Sequence, residues 1–400
     1  PYTIGTLYAD DQSPGKSLLE DDPLYDSRAR FSVVRVNRDL FREATVGVLF
    51  TDREYEGSYN RVGSVDTRFK LNPNWVATLQ AAASTTRSLE GNIQTGPAYS
   101  VELQRQGQHF TQTTEYLDIS PEFRTQAGFV NRTDIRSASH QAGYVFRPKG
   151  DYLISWGPSM ELTGIWDHQG TRLDWSLESQ LAWEFNRQTT VTLTYEPGRE
   201  RLRPEDFRGL TQNLDFSTTS QGVEFSSQFI PQLNFSGSYD FGRQINLVPR
   251  EGENPALADA TEAELEFTIR PNRHLRNDNT YVLSRLTAAG TENSVFTNHI
   301  VRSRWNWQFN PELSIRVILQ YDTVLTNPSE TRLETEKNFN ADVLFTYLLN
   351  PWTALHVGYN GNLQNIALRP LEYGNEIIRT DEMLHDARQF FIKFSYLFQF

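Results

Sequence analysis

The chain of 400 residues contains no cysteine, which excludes disulfide bonds and thiolate metal sites. It also has no run of 18 apolar residues, so a membrane-spanning helix is excluded. Basic residues are few: 38 Lys and Arg stand against 50 Asp and Glu, and a formal net charge of -12 argues against nucleic acid as a partner. What the chain lacks therefore excludes a disulfide scaffold, a helical membrane protein and a nucleic-acid-binding protein.

Recognisable catalytic and metal-binding motifs are missing as well. No two of the seven histidines have the spacing of metal ligands, and no glycine-rich phosphate loop is present. A lipid-facing serine and histidine pair, as in a membrane phospholipase, is not indicated, because His356 falls on the polar side of its segment. We predict that the protein is not an enzyme and has neither catalytic residues nor a cofactor. The histidines are His109, His140, His168, His274, His299, His356 and His385.

Aromatic residues, by contrast, are abundant and recur at every second position. The chain has 25 Phe, 17 Tyr and 8 Trp, which favours folded structure over disorder. In residues 173–186 apolar and polar residues alternate, and a helical spacing of three and four is not sustained. Because successive side chains of a β-strand point to opposite faces, this stretch is predicted to be one long two-sided strand. The same alternation appears in residues 262–270, 313–321 and 341–349.

Tight polar turns divide these strands into pairs. Longer polar segments lie between the turns, for example 196–217, 322–338 and 364–387. The repeating unit is therefore strand, long loop, strand, short turn, and the whole chain accommodates about 20 strands. An even number lets the first and last strands meet antiparallel, as closure of a barrel requires. Turn-forming residues recur at intervals of close to forty residues, near positions 42, 73, 109, 149, 188, 231, 272, 311 and 351.

A repeat of this length is also compatible with a β-propeller. A propeller blade, however, packs about four short strands into it and leaves no room for a long loop, and stacked sandwiches would need linkers. We therefore predict an all-β fold: a transmembrane antiparallel up-and-down β-barrel of about 20 strands (roughly 18 to 22), with short periplasmic turns and long extracellular loops. Residues 1–400 are expected to form this single domain, and the missing initiator Met and signal peptide indicate a processed or truncated product.

The last ten residues, FIKFSYLFQF, point to the outer membrane. Bacterial outer-membrane barrels resemble this stretch in ending on Phe, with apolar residues at alternate positions before it. In those barrels the last strand is the signal that the barrel-assembly machinery reads. The resemblance implies an integral protein of the Gram-negative outer membrane, surrounded by outer-membrane lipid and lipopolysaccharide. The assembly signal would be Phe394, Tyr396, Phe398 and Phe400.

Several stretches resemble one family more closely. They are YNRVGSVDTRFKLNPNW (59–75), EYLDISPEFRTQAGFVNRTDIRSAS (115–139), GYVFRPKG (143–150) and FFIKFSYLFQF (390–400). They resemble the barrel of the family called domain of unknown function 5916. Members of that family usually carry, ahead of the barrel, a domain similar to carbohydrate-binding modules of family nine, which this sequence does not contain. Because the family has no assigned activity, the resemblance implies architecture and location rather than a function.

Charged residues on the polar side of the strands are the candidate lumen and constriction residues. The most specific candidates are Glu262, Glu264 and Glu266, three carboxylates on one face of one strand. The alternative interpretation is that these charged residues form an ion-paired wall that only supports the barrel. The complete set is Glu262, Glu264, Glu266, Glu178, Glu184, Arg302, Arg304 and Arg316. Oxygen-rich clusters can also bind Ca²⁺. Weak candidates, which lack the spaced Asp motif and fit a solvated acidic rim as well, are Asp10, Asp11, Asp21 and Asp22.

Two functions are compatible with these features. The first is a porin-like channel for small hydrophilic solutes, because a wide polar lumen without a plug domain should conduct. The second is a non-conducting outer-membrane scaffold or anchor for a surface domain, or for a surface or periplasmic partner protein, with its lumen closed by loops or by that partner. Long aromatic-containing loops such as 115–135 and 196–217 suit either a constriction or a docking surface.

Overall fold

The computed structural model describes residues 2–41, 43–207, 209–350, 352–370 and 375–396. Within these ranges the chain forms twenty β-strands and one short helix, α1, at Ser13–Lys16. No helix there is long and apolar enough to span a bilayer. The strands β1 to β20 are, in chain order, Tyr2–Asp11, Ala29–Leu40, Ala44–Tyr55, Ser58–Asn72, Trp75–Arg87, Ile93–Gln106, Phe110–Ile119, Ile135–Tyr144, Leu153–Trp166, Arg172–Phe185, Thr189–Leu202, Leu214–Ile230, Leu233–Asn246, Ala256–Asn272, Leu275–Ala288, Ser294–Gln308, Leu313–Thr326, Glu336–Asn350, Thr353–Pro370 and Asn375–Tyr396.

All twenty strands belong to one sheet, in which each strand pairs antiparallel with the next along the chain. This is the predicted up-and-down barrel. Each of the nine predicted turn positions falls at a short connection between consecutive strands. Several of these turns share one device: the Asn72 Oδ1 atom accepts hydrogen bonds from the backbone N–H groups of Asn74 and Trp75 at 3.0 and 3.1 Å. Asn272 and Asn310 do the same, which explains why asparagine marks the strand ends.

The connections at the opposite end are shorter than the sequence suggested. Of the predicted polar segments, 196–217 and 322–338 have loops only at 203–213 and 327–335, and 364–387 is strand over 364–370 and 375–387. The observed loops of the first two segments are about half as long as the predicted segments. Outside the hydrocarbon core of the bilayer, both faces of a strand contact water and both are polar. The alternation that reveals a strand therefore disappears there, although the hydrogen-bonded ladder continues.

The register separates a polar face from an apolar one, because directly opposed residues share a face. On β9 and β10, Leu177 lies opposite Leu162, whereas Glu178 lies opposite Glu161. The apolar face is exposed along the barrel; Leu162, for example, is 54% exposed. In a transmembrane barrel this face contacts lipid and the polar face lines the lumen. We refer to the polar face as the lumen wall.

Two features of the terminal strands bear on closure and assembly. In the described residues no ladder joins β1 to β20, although both carry the alternation of a membrane strand. Unpaired backbone groups cost several kcal/mol each in hydrocarbon, so these two edges must be satisfied when the barrel lies in the membrane. Of the predicted assembly signal, Phe394 and Tyr396 are 63% and 55% exposed. Phe398 and Phe400 lie outside the described residues.

Candidate functional site: the lumen wall and the loop folded onto it

Residues 120–134, which connect β7 to β8, fold back over the lumen wall of β3 to β6; we call this segment the lumen loop. Asn60 of β4 is fully buried under it and donates a hydrogen bond to the Arg124 carbonyl at 3.0 Å. The same side chain accepts one from the Gln126 backbone N–H at 2.9 Å. Ser84 of β5 accepts a hydrogen bond from the Arg124 backbone N–H at 2.9 Å. The loop backbone therefore obtains its hydrogen bonds from two strands that lie well away from its own ends.

The lumen loop also needs space, which Gly96 of β6 provides. A Cβ atom on Gly96 would lie 2.3 Å from the Phe123 backbone nitrogen and 2.4 Å from the Ser120 hydroxyl oxygen. Phe123 itself is only 5% exposed and belongs to an apolar cluster that includes Val62 and Ile119. An apolar core thus lies inside the barrel, between the lumen loop and the wall, where a purely polar lumen was expected from the alternation.

Ion pairs connect the end of the lumen loop to the β11–β12 loop. The Arg203 side chain, 9% exposed, pairs with Asp206 at 2.7 Å and with Asp134 at 3.3 Å. Arg132 lies 2.6 Å from Asp174 of β10 and 2.9 Å from Asp206. Because these groups are partly shielded from water, the charges are less screened than on an open surface. The network fixes the end of the lumen loop that leads into β8.

His168 adds a third loop to this assembly. Its Nδ1 atom lies 2.9 Å from Asp134 Oδ1, and its Nε2 atom lies 2.9 Å from Asp118 Oδ1. Its backbone N–H donates to the same Asp134 oxygen at 3.1 Å. Each ring nitrogen of His168 therefore faces the carboxylate of one aspartate. The β7–β8, β9–β10 and β11–β12 loops are therefore held together as one charged cluster above the barrel.

The β9–β10 loop has a pH-sensitive carboxylate of its own. Burial would raise the pKa of Asp167, but hydrogen bonds from the Thr171 backbone N–H (2.7 Å to Asp167 Oδ1), the Thr171 hydroxyl and the Gln169 N–H outweigh it, so the pKa lies below its ordinary value.

Acid is therefore expected to loosen this loop. A carboxylate whose pKa is lowered by folding contributes stability above its unfolded pKa of about 3.9, and that stability is lost as the pH falls through the lower folded value. The protection of residues 167–171 against hydrogen exchange, expressed relative to the intrinsic rate at each pH, should be steady from pH 7 down to about 4 and smaller below it. The Asp167→Asn variant should lack that acid transition; an identical transition in the variant would contradict the assignment.

The lumen wall of β9 to β14 is acidic. Within the described ladders of these six strands, no Lys or Arg occupies the polar face over residues 155–165 and 174–268; Arg172 lies at the irregular loop end of β10. Glu264 and Glu266 border a hollow of about 440 Å³ together with Glu224 and Asp240. The carboxylates of this acidic wall, apart from those near the loop network, are Glu161, Glu178, Glu184, Glu196, Glu224, Asp240, Glu262, Glu264 and Glu266.

A basic strip follows directly on β15 to β17. Arg304 and Arg276 both pair with Asp278, at 2.9 and 2.8 Å. Within the described chain, Arg302 and Arg316 have no carboxylate within the 4.0 Å of an ion pair. Along β9 to β17, charge on the lumen wall is therefore divided into an acidic side and a smaller, mainly basic side.

The structure places every predicted lumen residue on the lumen wall. Glu178 and Glu184 lie on β10, the three neighbouring glutamates on β14, Arg302 and Arg304 on β16, and Arg316 on β17. It brings Glu266, Arg302 and Arg304 around one hollow of about 250 Å³. Their role as a constriction stays a prediction, since the register shows only where they point.

The weak calcium candidates are not brought together. Asp10 pairs with Arg28 at 3.3 Å, and Asp11 accepts a hydrogen bond from the Ser13 backbone N–H at 2.9 Å. Asp22 likewise accepts one from the Leu24 backbone N–H at 2.8 Å. Among the residues that the structure describes, no three His, Asp or Glu side chains are grouped closely enough to hold a metal ion. The interpretation as a solvated acidic rim fits these local contacts.

Sequence reasoning missed the residues that anchor the lumen loop. Asn60, Ser84 and Gly96 were not candidates, because each fits the polar side of an ordinary strand. One signal was present: the segment 115–135 combines Phe123, Phe129 and Val130 with several polar residues, which is unusual for a solvated loop. That composition indicates a loop that packs against something, but not which strands it packs against.

Comparisons with known proteins agree with the fold. No family model and no curated protein sequence matches the chain, so the resemblance to the family of domain 5916 stays a prediction. Among solved structures, the siderophore receptor PirA from Acinetobacter baumannii is 8% identical with a TM-score of 0.52, and the match covers 99% of this chain and 74% of that one.

Two further structures match similarly. The siderophore receptor PirA from Pseudomonas aeruginosa is 11% identical with a TM-score of 0.51, covering 94% of this chain and 78% of that one. The FrpB iron transporter (F5-1 variant) from Neisseria meningitidis is 11% identical with a TM-score of 0.50, covering 94% and 73%. At such low identity the likeness concerns the fold alone. This chain has the fold of an integral outer-membrane β-barrel.

Proposed function

We propose that the barrel is a porin-like channel for small hydrophilic solutes, with a preference for cations. The observation that carries the proposal is the acidic wall, a set of carboxylates on six consecutive strands with no Lys or Arg on that face of the described ladders over residues 155–165 and 174–268. Carboxylates lining an aqueous path raise the local concentration of cations and repel anions. Residues that merely support a barrel would be expected to pair with opposite charges instead.

Barrel size supports the same proposal. Barrels of about 16–18 strands enclose an aqueous channel, and twenty strands enclose a wider one. The lumen loop narrows this path from the side of β3 to β6. In a closed barrel of twenty strands β14 stands ten strands from β4, so the glutamates of β14 face the wall that carries the lumen loop. The narrow part of the path would thus run between the lumen loop and the acidic wall.

The comparisons support transport in a general sense. The matching solved structures are named as siderophore receptors and an iron transporter, which are transport proteins and not enzymes. We do not extend their substrates to this chain. The inference of a non-enzymatic protein is also supported by the absence of a recognisable catalytic motif from the sequence.

Single-channel recording of the purified protein in a planar bilayer tests the proposal. With a potassium chloride gradient across the bilayer, we expect discrete conductance steps and a reversal potential of the sign that cation preference gives. A silent bilayer, with insertion confirmed by protease protection, would contradict the channel. It would favour the alternative, a non-conducting scaffold or anchor for a partner protein.

A further inference from the structure

We infer that the barrel contains a binding site for a small aromatic alcohol, located under the lumen loop. A hollow of about 320 Å³ lies between the lumen wall of β3 to β7 and this loop. Its size falls at the lower end of the roughly 300–1,000 Å³ that small-molecule sites span. Leu49, Ala82, Ala98 and Leu117 supply apolar surface from the wall, and Phe129 and Val130 supply it from the loop.

One polar group in this apolar setting has no partner. Ser64 of β4 lines the hollow and is 8% exposed, and none of the described residues gives its hydroxyl oxygen a hydrogen bond. A buried hydroxyl without a partner costs about 1–3 kcal/mol. A ligand that carries its own hydroxyl group would satisfy Ser64 and recover that cost. Three further polar residues, Gln80, Ser100 and Thr125, border the hollow, and an apolar cavity with a few polar groups is the usual design of a small-molecule site.

Phe129 indicates what kind of apolar group the ligand carries. This ring borders the hollow and is 86% exposed, although the rest of the apolar cluster under the lumen loop is buried or partly buried. An exposed ring next to an apolar hollow offers a stacking surface, and aromatic rings pack on one another with a gain beyond simple burial. A flat ring with one hydroxyl group therefore fits both features.

The inference rests on the proposed function only in placing the site on the route of permeating solutes; the binding itself does not require conduction. It narrows the class of solute, since an aromatic alcohol would be retained beside the lumen loop while small ions pass.

Binding of 4-fluorophenol to the protein in lipid nanodiscs, followed by fluorine NMR line width, tests the site. We expect saturable broadening that empty nanodiscs do not give. Ser64→Ala should weaken the affinity about tenfold, as expected for one lost hydrogen bond in an apolar cavity, while leaving thermal stability unchanged or higher. Fluorobenzene, which lacks the hydroxyl, should bind wild type about as weakly as 4-fluorophenol binds the variant.

Two further variants make the test specific. Ala82→Leu fills the hollow and should abolish saturable binding, whereas Ser220→Ala, on the lumen wall of β12 and outside the hollow, should leave it unchanged. Equal affinity of the Ser64→Ala variant, or only non-saturable partition into the nanodisc, would overturn the inference. Saturable binding by a protein that is silent in planar bilayers would refute the channel and leave the site standing. Conduction by a protein that does not bind 4-fluorophenol saturably would refute the site and leave the channel standing.

Discussion

Replacing Gly96 by valine is expected to release the lumen loop from the wall and to raise the single-channel conductance. The added Cβ atom would meet the Phe123 nitrogen at 2.3 Å and the Glu122 carbonyl carbon at 2.5 Å, and a backbone contact of this kind cannot be relieved by rotating a side chain. Overpacking typically costs about 1–3 kcal/mol, which is comparable to what a few loop hydrogen bonds contribute. The strand itself tolerates valine well. The loop is therefore expected to give way while the barrel remains intact.

The released loop should be detectable without electrical recording. Trypsin cleaves after arginine, and the two arginines of the lumen loop, Arg124 and Arg132, are held by hydrogen bonds and ion pairs in the folded barrel. Cleavage at these positions should become fast in Gly96→Val. The matched control is Gly63→Val on β4, because a Cβ atom there meets nothing within 4 Å. Unchanged conductance together with unchanged resistance to trypsin would show that the lumen loop does not depend on Gly96.

Neutralising the three glutamates of β14 is expected to remove most of the cation preference. In the triple variant Glu262→Gln, Glu264→Gln, Glu266→Gln the side chains keep their shape and lose their charge. A monovalent cation at about 7 Å gains about 0.6 kcal/mol from each carboxylate in water. Loss of all three therefore lowers its local accumulation by roughly twentyfold at low salt, and by less as salt screens the charges. The reversal potential should move towards zero accordingly.

The control for this experiment must change the net charge equally at another place. Glu90, Glu251 and Glu292 are exposed residues of three loops, so their joint replacement by glutamine provides it. The reversal potential of this control should stay close to that of the wild type, because salt screens distant charges. Equal shifts in both triple variants would mean that overall charge, and not the acidic wall, sets the selectivity. No shift in either would place the narrow part of the path elsewhere.

Much of the architecture follows from the sequence alone. Side chains of a strand alternate with a period of two whatever the strand packs against, so residues 173–186 show their two faces without any tertiary information. The turns are equally local, because Asn72 and its counterparts bind backbone groups only two and three residues ahead. The number of strands, their antiparallel order and the direction in which Glu262, Glu264 and Glu266 point are all consequences of these short-range rules.

The lumen loop was decided by the tertiary structure. Its hydrogen bonds join Asn60 to Arg124 and Gln126, and Ser84 to Arg124, across 40 to 66 positions of the chain. Nothing in the local pattern distinguishes an asparagine that faces water from one that anchors a loop, because both fit the polar side of a strand. The same holds for Gly96, whose missing side chain matters only once Phe123 lies against it. The sequence by itself therefore determined the wall of the barrel, whereas long-range packing determined what fills the lumen.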